Sequence, residues 1–185
     1  MLILASASPR RQELLRNAGI AFRVQPTGIP EIPLAGETPR VCAERLARKK
    51  ALAISYAHPG EWVLGADTIV VVDGEILGKP ADEADAARML RLLSGRTHEV
   101  TTGVCLAGKA IEDVRSETTL VSMIALREDD IRDYIASGEP MDKAGAYAIQ
   151  GKASRWIPRI EGDYANVVGL PLALVYRMLR EHRAL

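Results

Sequence analysis

The chain has 185 residues, of which 48% are hydrophobic, 26% charged and 4% aromatic. That is enough to bury one real core, built from Leu, Val, Ile and Ala rather than rings. Its 24 Lys and Arg balance 24 Asp and Glu, so the formal net charge is zero; this argues against nucleic acid or an acidic membrane as a partner, but not against one small anion held by a local cluster.

Cys42 and Cys105 form no C-x-x-C pair and read as small buried residues in a reducing cytosol. The first apolar run has no charged segment before it and is too short for a signal sequence. No apolar stretch approaches a membrane span. The expectation is a cytoplasmic protein with no membrane partner. Without repeats or long linkers, residues 1–185 read as a single domain.

Leu2 to Ala5 has the length of a buried strand. Ser6-Ala7-Ser8 follows, then Pro9, which suits the first position of a helix. Ser8 is the natural N-cap, and the helix should run through Leu14, Leu15 and Ala18 to stop at Gly19. Arg10 and Arg11 break the local rule, because a first helical turn prefers acidic residues. Either an anion belongs there, held by amides, hydroxyls and guanidiniums, or both arginines are solvated and reach toward Glu13 or down the helix.

Phe22 to Gln25 reads as a second strand. Gly28 to Gly36 is a proline-bearing exposed loop that carries Glu31. Thr38-Pro39 opens a helix extending to about Tyr56, before His58-Pro59-Gly60. Ala43, Leu46, Ala47, Ala51 and Ile54 form one stripe at helical spacing. Lys50 lies inside that stripe, whereas Arg45, Arg48 and Lys49 are better placed to face water. Lys50 either snorkels outward or points its ammonium into a cavity.

Trp62 to Val72 is the most apolar run and should form central strand structure, closed by the hairpin signal Asp73-Gly74. Asp67 interrupts it. It is either a turn aspartate between two strands or a buried carboxylate. The second reading is favoured, because buried carboxylates are uncommon and tend to be active-site groups. Glu75 to Leu77 returns the hairpin, and Pro80 holds Lys79 extended. Asp82 caps a helix with Ala86, Met89, Leu90 and Leu93 inward, ending at Ser94-Gly95. His98 to Leu106 reads as a strand turning at Gly108-Lys109, with a partner between Ser116 and Leu126. A helix spans Glu128 to Ala136. Asp142 to Gly151 is an irregular loop framed by Gly145 and Gly151. Trp156 to Ile160 suggests a late strand, and Gly169-Leu170-Pro171 opens the last helix. The class is α/β, a single elongated domain around a mixed β-sheet flanked by helices. His58, His98 and His182 have no metal-ligand spacing. No local base or elbow motif makes Ser8 a serine-hydrolase nucleophile.

Seven motifs, taken in order, resemble the Maf family of nucleoside triphosphate pyrophosphatases, whose fold is Maf/inosine-triphosphatase-like. They are L-A-S-A-S-P-R-R-Q-E-L-L, L-A-R-K-K-A, V-L-G-A-D-T, L-G-K-P, L-S-G-R-T-H, D-K-A-G-A-Y-A-I-Q-G and N-V-V-G-L-P-L. The resemblance implies hydrolysis of a nucleoside triphosphate to the monophosphate and pyrophosphate, a divalent cofactor (Mg²⁺ or Mn²⁺), a cytoplasmic location and a homodimer. It assigns Ser8, Arg10, Arg11, Lys50 and Lys79 to phosphate, Asp67 to the general base, and Glu31 with Asp67 to the metal. Asp67-Thr68 and the loop carrying Gln150 resemble the branch acting on dTTP and UTP, with Arg10, Thr68 and Gln150 at the specificity positions. The Gln150 amide offers the donor and acceptor that a uracil or thymine edge complements. Ala148 departs from the glycine usual in that branch. Met123 stands where phenylalanine is frequent and reads as a core substitution. A housecleaning role against modified nucleotides is a further expectation. The alternative is a non-catalytic nucleotide-binding regulator of cell division or septum formation, which would release no pyrophosphate.

Overall fold

The computed structural model describes residues 1–185. In chain order the elements are β1 (Leu2–Leu4), α1 (Pro9–Asn17), β2 (Phe22–Val24), α2 (Pro39–Ser55), β3 (Trp62–Val72), β4 (Glu75–Leu77), α3 (Glu83–Leu93), β5 (Thr97–Gly108), β6 (Ile111–Ser122), α4 (Glu128–Ala136), β7 (Arg159–Glu161), α5 (Tyr164–Val168) and α6 (Leu172–Glu181). Short 3-10 turns at Glu139–Asp142, Ala144–Ala146 and Lys152–Trp156 join α4 to β7. The seven strands form one sheet in the order β2-β1-β3-β5-β6-β7, with β4 on β3. β1 runs parallel to β2 and β3, while β4 on β3 and β7 on β6 are antiparallel, so the sheet is mixed. No helix is long and apolar enough to cross a membrane.

The chain groups into two compact units. One comprises Met1–Thr68, Thr102–Glu117 and Gly169–Leu185; the other comprises Ile69–Thr101 and Thr118–Val168. The divisions fall inside β3, β5 and β6.

In the first unit the strand period of two sorts the core into two clusters. Leu2, Leu4, Trp62, Leu64, Val104 and Leu106 pack with Leu15 of α1 and with Leu174, Val175 and Met178 of α6. The alternate residues Ile3, Ala5, Val63, Cys105 and Ala107 pack with Ala47, Ala51 and Ile54 of α2. Two glycines bring α2 close. A Cβ on Gly65 would lie 2.2 Å from the Ala47 carbonyl oxygen, and one on Gly103 would lie 2.4 Å from that of Ala43. Ser8 and Thr38 cap α1 and α2, accepting from the amides of Arg11 and Val41, and each helix opens with proline.

In the second unit Asp82 caps α3, whose Ala86, Met89, Leu90 and Leu93 are buried. Tyr134 of α4 meets Trp156 edge-on at 5.0 Å. Met123 is buried, as a core substitution should be. His98 is buried, with Nε2 2.7 Å from the Tyr147 hydroxyl and Nδ1 without a partner. Burial alone pulls its imidazole down to about 4.

Several boundaries differ from expectation. β3 runs unbroken through Asp67, which therefore does not cap a turn. The second hairpin turns at Lys109-Ala110, both left-handed (φ 50° and 64°), one residue later than read. β6 starts at Ile111 rather than near Ser116. Its first half carries Glu112, Asp113, Arg115 and Glu117, which hide a strand, and Asp113 and Arg115 are occupied by mutual pairing and by His182 and Glu181. Trp156 closes a 3-10 turn instead of opening β7. The short helix α5 precedes the last helix, which starts after Pro171.

Gly65→Ala should destabilise the protein by about 3 kcal/mol, the upper range for overpacking against backbone; urea unfolding measures it. Because the folded state lowers the proton affinity of His98, its neutral ring contributes stability fully above pH 6.5, and this is lost as pH falls from 6.5 toward 4. The loss should reach about 3 kcal/mol. Urea curves at pH 7 and pH 4.5 should show a smaller acid loss in His98→Gln than in the wild type.

Candidate active site

The β1–β3 ladder ends with Leu4 opposite Leu64, and the Ala5 amide donates to the Leu64 carbonyl at 2.9 Å. Asp67 lies three residues beyond that point, still within β3. Val63, Gly65 and Asp67 share the strand face that α2 covers, and α2 brings Lys50 to meet Asp67. Both side chains are almost fully buried, at 5% exposure each. Lys50 Nζ donates to Asp67 Oδ1 at 2.6 Å and to Glu31 Oε1 at 2.5 Å. The stripe lysine thus points inward and holds two carboxylates on one ammonium. Glu31 reaches it from the loop before α2 and remains 39% exposed. Burial pushes Asp67 above the usual carboxylate range, opposed by Lys50 and Arg11.

Arg11 answers the charge anomaly of α1. It is buried, and its fork is committed to neutral oxygens: Nε donates to the Gly169 carbonyl at 2.8 Å, one terminal nitrogen to Ser6 Oγ at 3.2 Å, and the other to Thr68 Oγ1 at 3.0 Å. Burial lowers its proton affinity, while Asp67 and Glu31 raise it and Arg10 lowers it further, so three neighbouring charges act on Arg11. Arg10 is half-buried in the first turn, and Ser8 Oγ accepts from the Arg11 amide at 3.4 Å.

Thr68 follows Asp67 and points to the other face. Its hydroxyl lies 2.9 Å from Thr102 Oγ1 and 3.4 Å from the Gly169 carbonyl. Gly169 has φ 132°, a conformation that side chains rarely adopt, and its carbonyl accepts from Arg11. Thr102 and the Gly169 carbonyl were not singled out by sequence. The N-V-V-G-L-P-L glycine was the one available signal.

The first unit therefore brings together Ser8, Arg10, Arg11, Glu31, Lys50, Asp67 and Thr68. Lys79 and Gln150 belong to the second unit, and both are exposed. The Gly145 amide donates to the Gly78 carbonyl at 3.1 Å, which joins the L-G-K-P turn to the glycine loop. Glu139, just before that loop, accepts from the Lys152 amide and from the Tyr134 hydroxyl, and the Ala148 amide donates to that hydroxyl. Ala148 lies outside the left-handed region, so its methyl adds no backbone strain.

Glu31 and Asp67 are hard oxygen donors converging on one position, now filled by the Lys50 ammonium. A Mg²⁺-type ion takes one or two protein carboxylates and completes its shell with phosphate and water. The pair fits such an ion. No cluster of three or more His, Cys, Asp or Glu side chains forms an all-protein metal cage.

Residues 1–182 match the family described as Maf-like protein. A dTTP/UTP pyrophosphatase of Koribacter versatilis (strain Ellin345) is 63% identical over 179 residues, covering 97% of this chain and 93% of that one. A dTTP/UTP pyrophosphatase of Geobacter metallireducens is 54% identical over 186 residues, covering 100% and 97%. Among solved structures, the Staphylococcus aureus Ham1 protein aligns over 98% of both chains with a TM-score of 0.56 at 15% identity, which is a likeness of fold. Matched along almost its whole length, the chain belongs to the Maf family.

Proposed function

We propose that this protein hydrolyses dTTP and UTP to the nucleoside monophosphate and pyrophosphate. The observation that carries this reading is the Glu31–Lys50–Asp67 cluster, its lysine and aspartate buried, with Arg11 in electrostatic reach, in a chain 63% identical to a dTTP/UTP pyrophosphatase.

A triphosphate carries about four negative charges near neutral pH, and cleavage spreads charge over the transferred phosphoryl and the leaving pyrophosphate. Positioned cations favour the transition state where they meet that charge better than in the ground state. Arg10, Arg11, Lys50 and Lys79 are assigned to this task, with Ser8 at the helix start. Arg11 commits three of its five N–H groups within the protein, which leaves donors on its outer nitrogens for an anion. Asp67 takes a proton from the attacking water. The water oxygen forms the new bond to phosphorus as the α–β bridging bond breaks. Its raised proton affinity suits it to that role better than a solvated aspartate. Glu31 and Asp67 would hold a Mg²⁺ or Mn²⁺ ion, whose positive charge, when bound, offsets that of the phosphates. Gln150 is assigned to the base edge, and Arg10 and Thr68 to the choice of nucleotide. A homodimer, a cytoplasmic location and a housecleaning role against modified pyrimidine triphosphates complete the reading.

The deciding experiment follows pyrophosphate release from dTTP, UTP, dCTP and purine triphosphates with Mg²⁺ or Mn²⁺. Release confined to dTTP and UTP is expected, and binding without turnover would refute the reading. Asp67→Asn should lower kcat for dTTP by about 10²–10⁴-fold, the range of general base catalysis, with an unchanged circular dichroism spectrum. Near-normal turnover would remove Asp67 from the chemistry. Gln150→Ala should narrow the dTTP-to-dCTP ratio of kcat/KM more than it lowers cleavage as such, whereas equal losses for every nucleotide would refute base reading.

A further inference from the structure

Glu31 sits on an irregular loop, yet it meets Lys50 at 2.5 Å. A second acidic residue of the same segment lies six residues on. Glu37 and Arg45 form a bidentate pair in which Arg45 Nε contacts one carboxylate oxygen and a terminal nitrogen donates to the other at 2.7 Å. Both side chains are largely covered, at 11% and 20% exposure. The pair also grips the loop backbone. A terminal nitrogen of Arg45 donates to the Ile32 carbonyl at 3.0 Å, and the Leu34 amide donates to Glu37 Oε2 at 2.9 Å. Ile32 is the neighbour of Glu31. Arg45 and Lys50 stand on the same helix, α2, five residues apart. One rigid element therefore carries both the group that Glu31 binds and the group that anchors its loop. Arg45 holds the Glu37 carboxyl down to about 2, so the pair stays ionised across the working pH range.

We propose that Glu37 and Arg45 are positioning residues: a latch that holds the Glu31 loop on α2, so that Glu31 is set beside Lys50 and Asp67 before substrate arrives. This rests on the hydrolase reading for its catalytic consequence, though not for its structural one. A residue of this kind acts through the carboxylate it orients. Loss of such supporting contacts typically costs about 10–100-fold in metal affinity or activity.

The test uses Arg45→Met, Glu37→Gln and the double variant, which leaves no unpaired buried charge behind. Two measurements are made on the full chain: amide hydrogen exchange of the 28–37 segment without ligand, and kcat/KM for dTTP over a Mn²⁺ titration. We expect faster exchange in that segment, with unchanged protection in the rest of α2. We also expect kcat/KM to fall by about tenfold or more, with a higher half-saturating Mn²⁺ concentration. On a Glu31→Ala background, Arg45→Met should change kcat/KM by less than about twofold, because the carboxylate it positions is gone. Arg45→Lys, which keeps the charge but not the fork, should recover only part of the activity. Equal losses with and without Glu31, or unchanged exchange in the segment, would overturn the latch. A wild type that releases no pyrophosphate would defeat the hydrolase reading alone, and the exchange experiment would still decide the latch.

Discussion

One ammonium holds the first unit's polar centre together. Lys50 donates to Glu31 and Asp67 at 2.5 and 2.6 Å, and both Lys50 and Asp67 are almost entirely withdrawn from water. Without it, two carboxylates would face each other, one of them in a dry environment that already pushes its proton affinity up. Stripping one partner from a buried ion pair typically costs about 3–5 kcal/mol, because the remaining charge stays buried and unpaired. The arrangement holds only because α2 can approach β3. Gly65 and Gly103 clear the path with missing side chains, so two apparently featureless glycines set where Lys50 can reach.

The cations of this centre are not equivalent. Lys50 meets formal negative charge, whereas Arg11 binds a carbonyl and two hydroxyls and feels the carboxylates only through space. Strand alternation explains the split. Asp67 points to the α2 face and Thr68 to the opposite one, so consecutive residues of β3 serve two cations from two helices. Arg11 spans Ser6 just after β1, Thr68 in β3 and Gly169 before α6. A guanidinium suits that position because its planar fork can satisfy three separate acceptors at once. A lysine would supply one point charge.

Residues that violate a local rule were readable in sequence. Lys50 stood inside an apolar stripe, Asp67 inside the most apolar run, and Arg10 and Arg11 at the wrong end of a helix dipole. Each anomaly reports on its own element, so periodicity and composition expose it. Arg45 shows where that reasoning fails. It lies off the stripe and looks solvated, yet it is largely covered, because a loop that periodicity does not describe folds back over it. Thr102 and the Gly169 carbonyl were hidden for a related reason: each matters through a contact with a distant segment. The first half of β6 was missed because charged residues engaged by α6 look like a loop when α6 is not in view.

Two irregular loops are fixed in the same manner, one in each unit. Glu37 accepts from the Leu34 amide and binds Arg45, while Glu139 accepts from the Lys152 amide and from the Tyr134 hydroxyl. A loop has no ladder to satisfy its amides, so an acceptor-only carboxylate can serve as a local substitute for one. Charge-assisted bonds of this type are roughly twice as strong as neutral ones, which is enough to select one loop conformation among many. The fit is tight: a Cβ on Gly151 would fall 2.0 Å from a Glu139 carboxylate oxygen, so a side chain at the end of the G-A-Y-A-I-Q-G loop would push the anchoring carboxylate aside, although the dihedral angle of Gly151 itself does not call for glycine. The departure at Ala148 is tolerated by the same logic. Its amide is tied to Tyr134, its backbone is ordinary, and the added methyl changes the surface of the loop without releasing the loop from its anchor.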